Sequence, residues 1–162
     1  MRKSTSALLI VSICLAFISC DDKKPSAVYE VESDSLQVNK LVGTWKLITG
    51  TLIEKGDTTV TDYTKTSSFI KIINATHFAF IQHDLQKGKD STASFSAGGG
   101  TYSLKDSSYT EHLEYCNARE WEGHDFNFTV TISNDTLVQR GIEVVESQNI
   151  NRLNIEKYVR AR

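Results

Sequence analysis

From residue 41 onward, apolar and polar side chains alternate in short runs, and small or turn-forming residues separate the runs. Alternation with a period of two marks strands that bury one face. The runs fall at residues 42–54, 58–64, 68–73, 77–83, 100–105, 109–116, 126–132, 136–141 and 153–160. Asn74-Ala75-Thr76, Asp106-Ser107-Ser108 and Ser133-Asn134-Asp135 join successive runs and predict hairpins, while Lys55-Gly56-Asp57 ends the first run. No stretch of ten residues carries a helical stripe, and residues 117–123 suit at most one short turn of helix. The single proline, Pro25, lies outside every run, so nothing interrupts a backbone ladder. About eight or nine short strands at even spacing predict an all-β domain over residues 41–162, a small antiparallel up-and-down β-barrel. Closure removes the exposed edges an open sheet would present, and Gly98-Gly99-Gly100 fits a bend or bulge where a strand turns a corner.

The chain before residue 41 is patterned differently. Arg2 and Lys3 precede twelve apolar or small residues, 7–18. Twelve helical residues span roughly 18 Å, short of the ~30 Å of a bilayer core, so residues 1–19 are expected to be a signal peptide and not a membrane span. The run ends at Phe17-Ile18-Ser19-Cys20, followed by Asp21-Asp22-Lys23-Lys24. A small residue directly before a cysteine resembles a bacterial lipobox, although Phe17 stands where leucine is usual. The resemblance implies that Cys20 becomes the mature N-terminus and the lipid attachment point. The acidic and basic residues after it resemble sorting signals in lipoproteins of Bacteroidetes-type bacteria, which implies a lipid-anchored protein of the cell envelope, at the outer membrane, with its face left open. Residues 20–40 are polar without a sustained period and read as a tether. A short helical turn is expected at its end, capped by Asp34 or Ser35, with Leu36 and Leu41 packing inward.

Composition changes this picture mainly by exclusion. The 162 residues are 40% apolar and 23% charged, with a net charge of −2 and no Lys or Arg run beyond pairs, which argues against nucleic acid as a partner. Removing Arg2 and Lys3 leaves 16 of the 18 basic side chains against 20 acidic ones, or −4. Of three cysteines, Cys14 leaves with the signal peptide and Cys20 carries lipid, so Cys116 stays a lone thiol and no disulfide forms within a mature chain. His77, His83, His112 and His124 show no metal-ligand spacing, and no phosphate loop, nucleophile elbow or dinucleotide fingerprint is present, so no metal, cofactor or catalytic residue is expected. Asp-Ser/Thr triplets beginning at Asp34, Asp57, Asp90 and Asp135 resemble bacterial O-glycosylation sites and equally suit ordinary turns.

The barrel opens with Leu41-Val42-Gly43-Thr44-Trp45. A Gly-x-Trp at the start of the first strand, after a short helical lead-in, resembles the lipocalin (calycin) signature. The domain is also similar to compact lipocalin-like domains of bacterial lipoproteins in its GGGTYS stretch, residues 98–103, and in Glu156-x-Tyr158-x-Arg160. The resemblance implies that Gly43, Trp45 and an arginine close one barrel end, with Arg160, or Arg152, lying on the indole. The chain is shorter than a full lipocalin and lacks the long helix expected after its barrel.

Face assignment by alternation gives Tyr102, Glu111, Tyr115, Phe128, Tyr158 and Arg160 as the expected lining of a pocket, with Glu111 and Arg160 placed to pair or to bind a polar ligand group. The function expected is a membrane-anchored binding protein for a small hydrophobic or amphipathic molecule, without enzymatic activity. The alternatives are a filled barrel that acts through its surface or through residues 85–93, and, behind it, an enzyme on a small substrate using Glu111.

Overall fold

The computed structural model describes residues 40–162, so the expected signal peptide, Cys20 and nearly all of the tether lie outside the described residues. Nine strands follow: β1 (Gly43–Glu54), β2 (Asp57–Asp62), β3 (Ser67–Ile73), β4 (His77–Asp84), β5 (Phe95–Lys105), β6 (Ser108–Cys116), β7 (Asp125–Ser133), β8 (Thr136–Val145) and β9 (Ile150–Arg160). One helical turn, α1 (Tyr63–Thr66), joins β2 to β3, capped by the Asp62 carboxylate, which accepts from Thr64 N at 3.0 Å. Neighbours pair antiparallel in the order β1-β3-β4-β5-β6-β7-β8-β9, and β9 returns to β1 from Trp45↔Arg160 to Ile53↔Leu153. The result is a closed eight-strand barrel with one extra strand.

The extra strand follows from the length of β1. Its first part, Gly43 to Lys46, bonds β3, while Thr49 to Glu54 bonds β2 on the same side. The run at 58–64 therefore divides: it is strand to Asp62 and then a helical turn, which brings Tyr63 against β1 and Phe69. The turns behave as their residues dictate. Lys55, Asp106 and Asn134 take φ of 53°, 54° and 52° in tight hairpins, where Asp and Asn tolerate the left-handed region. Asn74 Oδ1 accepts from Thr76 N at 2.8 Å and His77 N at 2.7 Å, which folds the β3–β4 turn around its own side chain. Asp90 Oδ1 likewise accepts from Thr92 N at 2.8 Å, so that triplet performs turn chemistry. At 117–123 the helical turn is a 3-10 turn, Arg119–Trp121.

β5 starts five residues earlier than the alternation implied, because the glycine triplet lies inside the strand. Gly98 to Gly100 pair with Phe80 to Phe78 on one side and with Cys116, Tyr115 and Leu113 on the other. That last step skips Glu114, a β-bulge in β6. A Cβ on Gly100 would overlap the His112 carbonyl, so the bulge and the glycine require each other.

One barrel end is packed solid. Trp45, Leu41, Leu47, Ile73, Phe78, Tyr109, Leu137 and Tyr158 are buried there, and Trp45 Nε1 donates to the Leu41 carbonyl at 2.8 Å. The Arg160 guanidinium lies over the indole, 4.2 Å from the ring centre, and donates to the carbonyls of Val42 at 3.0 Å and Lys40 at 2.6 Å. Gly43 makes room for it: φ is +146°, and a Cβ would overlap the guanidinium. Of the two arginines considered for this position, Arg160 holds it.

Candidate functional site: a cavity walled by rings and lined with charge

Away from the Trp45 end the barrel is hollow. A cavity of about 270 Å³ lies among β1, β3, β4, β6, β7, β8 and β9, with α1 and the 119–121 turn beside it. Its apolar wall is Tyr63, Phe69, Phe80, Trp121, Phe126 and Phe128, with Leu52 and Leu113. Phe69 stacks on Phe80 at 5.9 Å and meets Tyr63 and Tyr158 edge-on at 5.8 and 6.5 Å, so these rings hold one another in place. Thr61, Ser96 and Ala118 border it at half-exposed positions.

Polar groups enter the wall because inward positions of β3, β6, β8 and β9 are polar: Lys71, Glu111, Gln139 and Glu143, then Arg152, Asn154 and Glu156. They sort into connected sets. Lys71 Nζ is paired with Glu111 Oε1, donates to Gln139 Oε1 at 2.9 Å, and lies 5.3–5.8 Å from the ring centres of Phe78, Tyr109 and Tyr158. Both partners are buried, so the ammonium is held by a carboxylate, an amide and aromatic faces instead of water. Glu143 takes Arg152 Nε on one oxygen at 2.8 Å and Asn154 Nδ2 on the other at 2.7 Å, while the Arg152 guanidinium lies 5.3 Å from the Trp121 ring centre.

Glu156 is different. It accepts the Tyr158 hydroxyl at 2.8 Å, and among the described residues no cation lies in ion-pair contact with it. Burial raises its carboxyl above the ordinary 4.5, and the charges of Glu143 and Glu111 add to this; Lys71 and the Tyr158 hydrogen bond oppose the shift. Burial likewise drives the Tyr158 phenol well above its usual range, helped by the Glu156 charge. Tyr109, behind Lys71, is raised in the same way, by burial first and then by Glu111. Its hydroxyl is the one buried side-chain polar atom among the described residues without an aligned hydrogen-bond partner.

Of the six expected lining residues, three border this cavity: Glu111, Phe128 and Tyr158. Tyr102 is half-buried, with its ring 5.2 Å from that of Tyr109 and its hydroxyl on the Asn74 carbonyl at 2.8 Å, and it is not part of the cavity wall. Tyr115 points outward, 68% exposed. Strict alternation from Glu111 put it inside, but the bulge at Glu114 inserts one residue, which turns Tyr115 out and Cys116 in. Arg160 caps the closed end and does not meet Glu111; Lys71 takes that carboxylate. Lys71 escaped sequence reasoning because Ile70, Ile72 and Ile73 surround it, so that apolar content marked no face. Its spacing of two from Phe69 and Ile73 was the available signal.

No family model matches the chain, and no curated protein matches it. Among solved structures it is similar to an uncharacterized protein from Bacteroides eggerthii, at 13% identity and a TM-score of 0.43, over 74% of this chain and 98% of that one. No helix among the described residues is long and apolar enough to cross a membrane, and none of their His, Cys, Asp and Glu side chains gather in groups of three that could hold a metal.

With two cations engaged by two carboxylates, one further carboxylate and aromatic walls, the cavity can hold a small molecule by its apolar body and fix its orientation through a polar end.

Proposed function

We propose that this chain is a lipocalin-like lipoprotein of the cell envelope, anchored through Cys20 at the outer membrane, that binds a small, partly apolar molecule within its barrel and catalyses no reaction. The observation that carries this reading is the cavity: about 270 Å³, walled by rings and bearing a few convergent polar groups, just below the ~300–1,000 Å³ usual for ligand sites. A second support is orientation. The chain reaches β1 through Lys40, whose carbonyl is bound by Arg160 at the closed end. The chain thus enters the barrel at its closed end, and the hollow half lies at the other end.

Native mass spectrometry of the protein purified from its own host tests the reading. A small molecule retained at stoichiometric occupancy and released on unfolding is expected; an empty protein, with no adduct under any gentle condition, refutes it. The anchor has a separate test. Cys20→Ser is expected to abolish fatty-acid labelling and free the protein from membranes, and unchanged labelling refutes lipidation at that residue.

A surface role is the second reading, favoured by apolar side chains on the outer face of β3 to β6. Ile72, Ile81, Phe95 and Tyr115 are 41%, 38%, 63% and 68% exposed. A reproducible protein partner on crosslinking, without any bound small molecule, would favour it.

A further inference from the structure

The charges around the cavity do not balance, and the imbalance specifies what would complete it. Five charged side chains border it: Lys71 and Arg152 against Glu111, Glu143 and Glu156. Each cation is already engaged. Lys71 is held by Glu111, Gln139 and its three rings, and Arg152 gives its Nε–H to Glu143 and lies near the Trp121 ring. Glu143 is satisfied on both oxygens. Glu156 uses one oxygen on the Tyr158 hydroxyl, and a carboxylate offers about four acceptor sites, so most of its capacity is unused at the cavity wall.

Three ligand classes can be weighed against this arrangement. An anion would enter beside three carboxylates and meet two cations that are each already paired with one of them, so the excess negative charge of the wall opposes it. A neutral apolar molecule would cover Glu156 and give nothing in return, leaving its half-buried carboxylate either unpaired or protonated. A molecule with an ammonium or similar cationic end supplies the missing third cation and donates to the free lone pairs, within a cavity that Tyr63, Phe69 and Phe80 also wall. Its apolar body would lie against Trp121, Phe126 and Phe128.

We infer that the barrel is a receptor for a small amphiphilic cation, an organic amine whose ammonium pairs with Glu156. This rests on the ligand-holding reading above and narrows it to one chemical class. A cavity of about 270 Å³ suits a compact ligand.

The test uses three probes of one shape on the full chain at neutral pH: 2-phenylethylamine, 2-phenylethanol and 3-phenylpropanoate, titrated by calorimetry or by NMR shifts. The amine is expected to bind at least tenfold more tightly than the alcohol, with the carboxylate weakest. Glu156→Gln, which keeps the shape and can still accept from Tyr158, is expected to reduce the amine to the affinity of the alcohol. Equal binding of all three, or tightest binding of the carboxylate, overturns the inference while leaving the cavity a ligand site. An amine preference that survives Glu156→Gln in a folded protein places the charge recognition elsewhere and overturns it as well. Binding of none of the three at millimolar concentration overturns both this inference and the ligand-holding reading. The comparison on the unaltered chain decides the class even where the variant does not fold.

Discussion

Lys71→Met is the perturbation that bears most directly on the interior. The Lys71 and Glu111 side chains are 3% and 9% exposed, so neither can turn to water when its partner is removed. Methionine retains most of the volume, and the loss is therefore electrostatic: Glu111 is left as a buried charge, the Gln139 carbonyl loses its donor, and three rings lose a cation. Breaking one partner of a buried pair costs about 3–5 kcal/mol, most of it the desolvation of the remaining charge. With a urea slope of about 2 kcal/mol/M, the unfolding midpoint should fall by roughly 2 M. Glu111→Gln alone should cost a similar amount, leaving the ammonium unpaired. The double variant removes both charges, and its unfolding free energy should recover to within about 1–1.5 kcal/mol of the parent, because burying a pair contributes little net stability against neutral groups of similar size. A single-variant loss under about 1 kcal/mol would refute the reasoning. So would a double variant whose cost is the sum of the two singles, since additivity would mean that the charges do not sense each other.

Four further outcomes follow from the same geometry. Glu156 has a folded-state value raised above its unfolded one, so it adds stability that is full below about 4.5 and is lost as pH rises through the folded value; the melting temperature of the parent minus that of Glu156→Gln should decrease as pH rises above 4.5 and level off once the folded value is passed. Arg160→Met removes a cation–π contact of about 0.5–2 kcal/mol and two charge-assisted hydrogen bonds, and should red-shift Trp45 emission in a Trp121→Phe background. Gly43→Ala should do much the same by displacing the guanidinium, and pairing it with Arg160→Met should cost less than the two apart, as urea midpoints will show. Tyr115→Ser should lie within about 0.5 kcal/mol of the parent, whereas Phe128→Ala should cost about 3–5 kcal/mol; equal losses would mean that the bulge does not turn Tyr115 outward.

Local physics explains what could be read ahead of the structure. Strand positions and three hairpin turns follow from alternation and from Asn, Asp and Gly at the turns, which are properties of a few adjacent residues. The indole-guanidinium contact at the closed end was implied by the resemblance noted in the sequence, and closure, which must bring the first and last strands together, pointed to Arg160 as its cation. The interior was harder. Alternation assigns faces only while the count stays strict, and one extra residue at Glu114 exchanged the positions of Tyr115 and Cys116. Polar residues such as Lys71, Gln139 and Glu143 look solvent-facing one strand at a time; only assembly shows that β3 and β8 point them into one cavity. The separation of β2 from β3 by a helical turn depends on which strand reaches the same side of β1, and no local pattern carries that.

The pairing of β1 with β9 also governs the order in which the molecule can be made. These strands sit at opposite ends of the barrel sequence, so the first strand to emerge during synthesis waits for the last before its ladder is complete. Until then β1 and β8 both offer free backbone groups to any passing chain. A product truncated before Ile150 would consequently be no smaller barrel. It would be an open, sticky sheet, with the charged interior flooded and the indole of Trp45 uncovered.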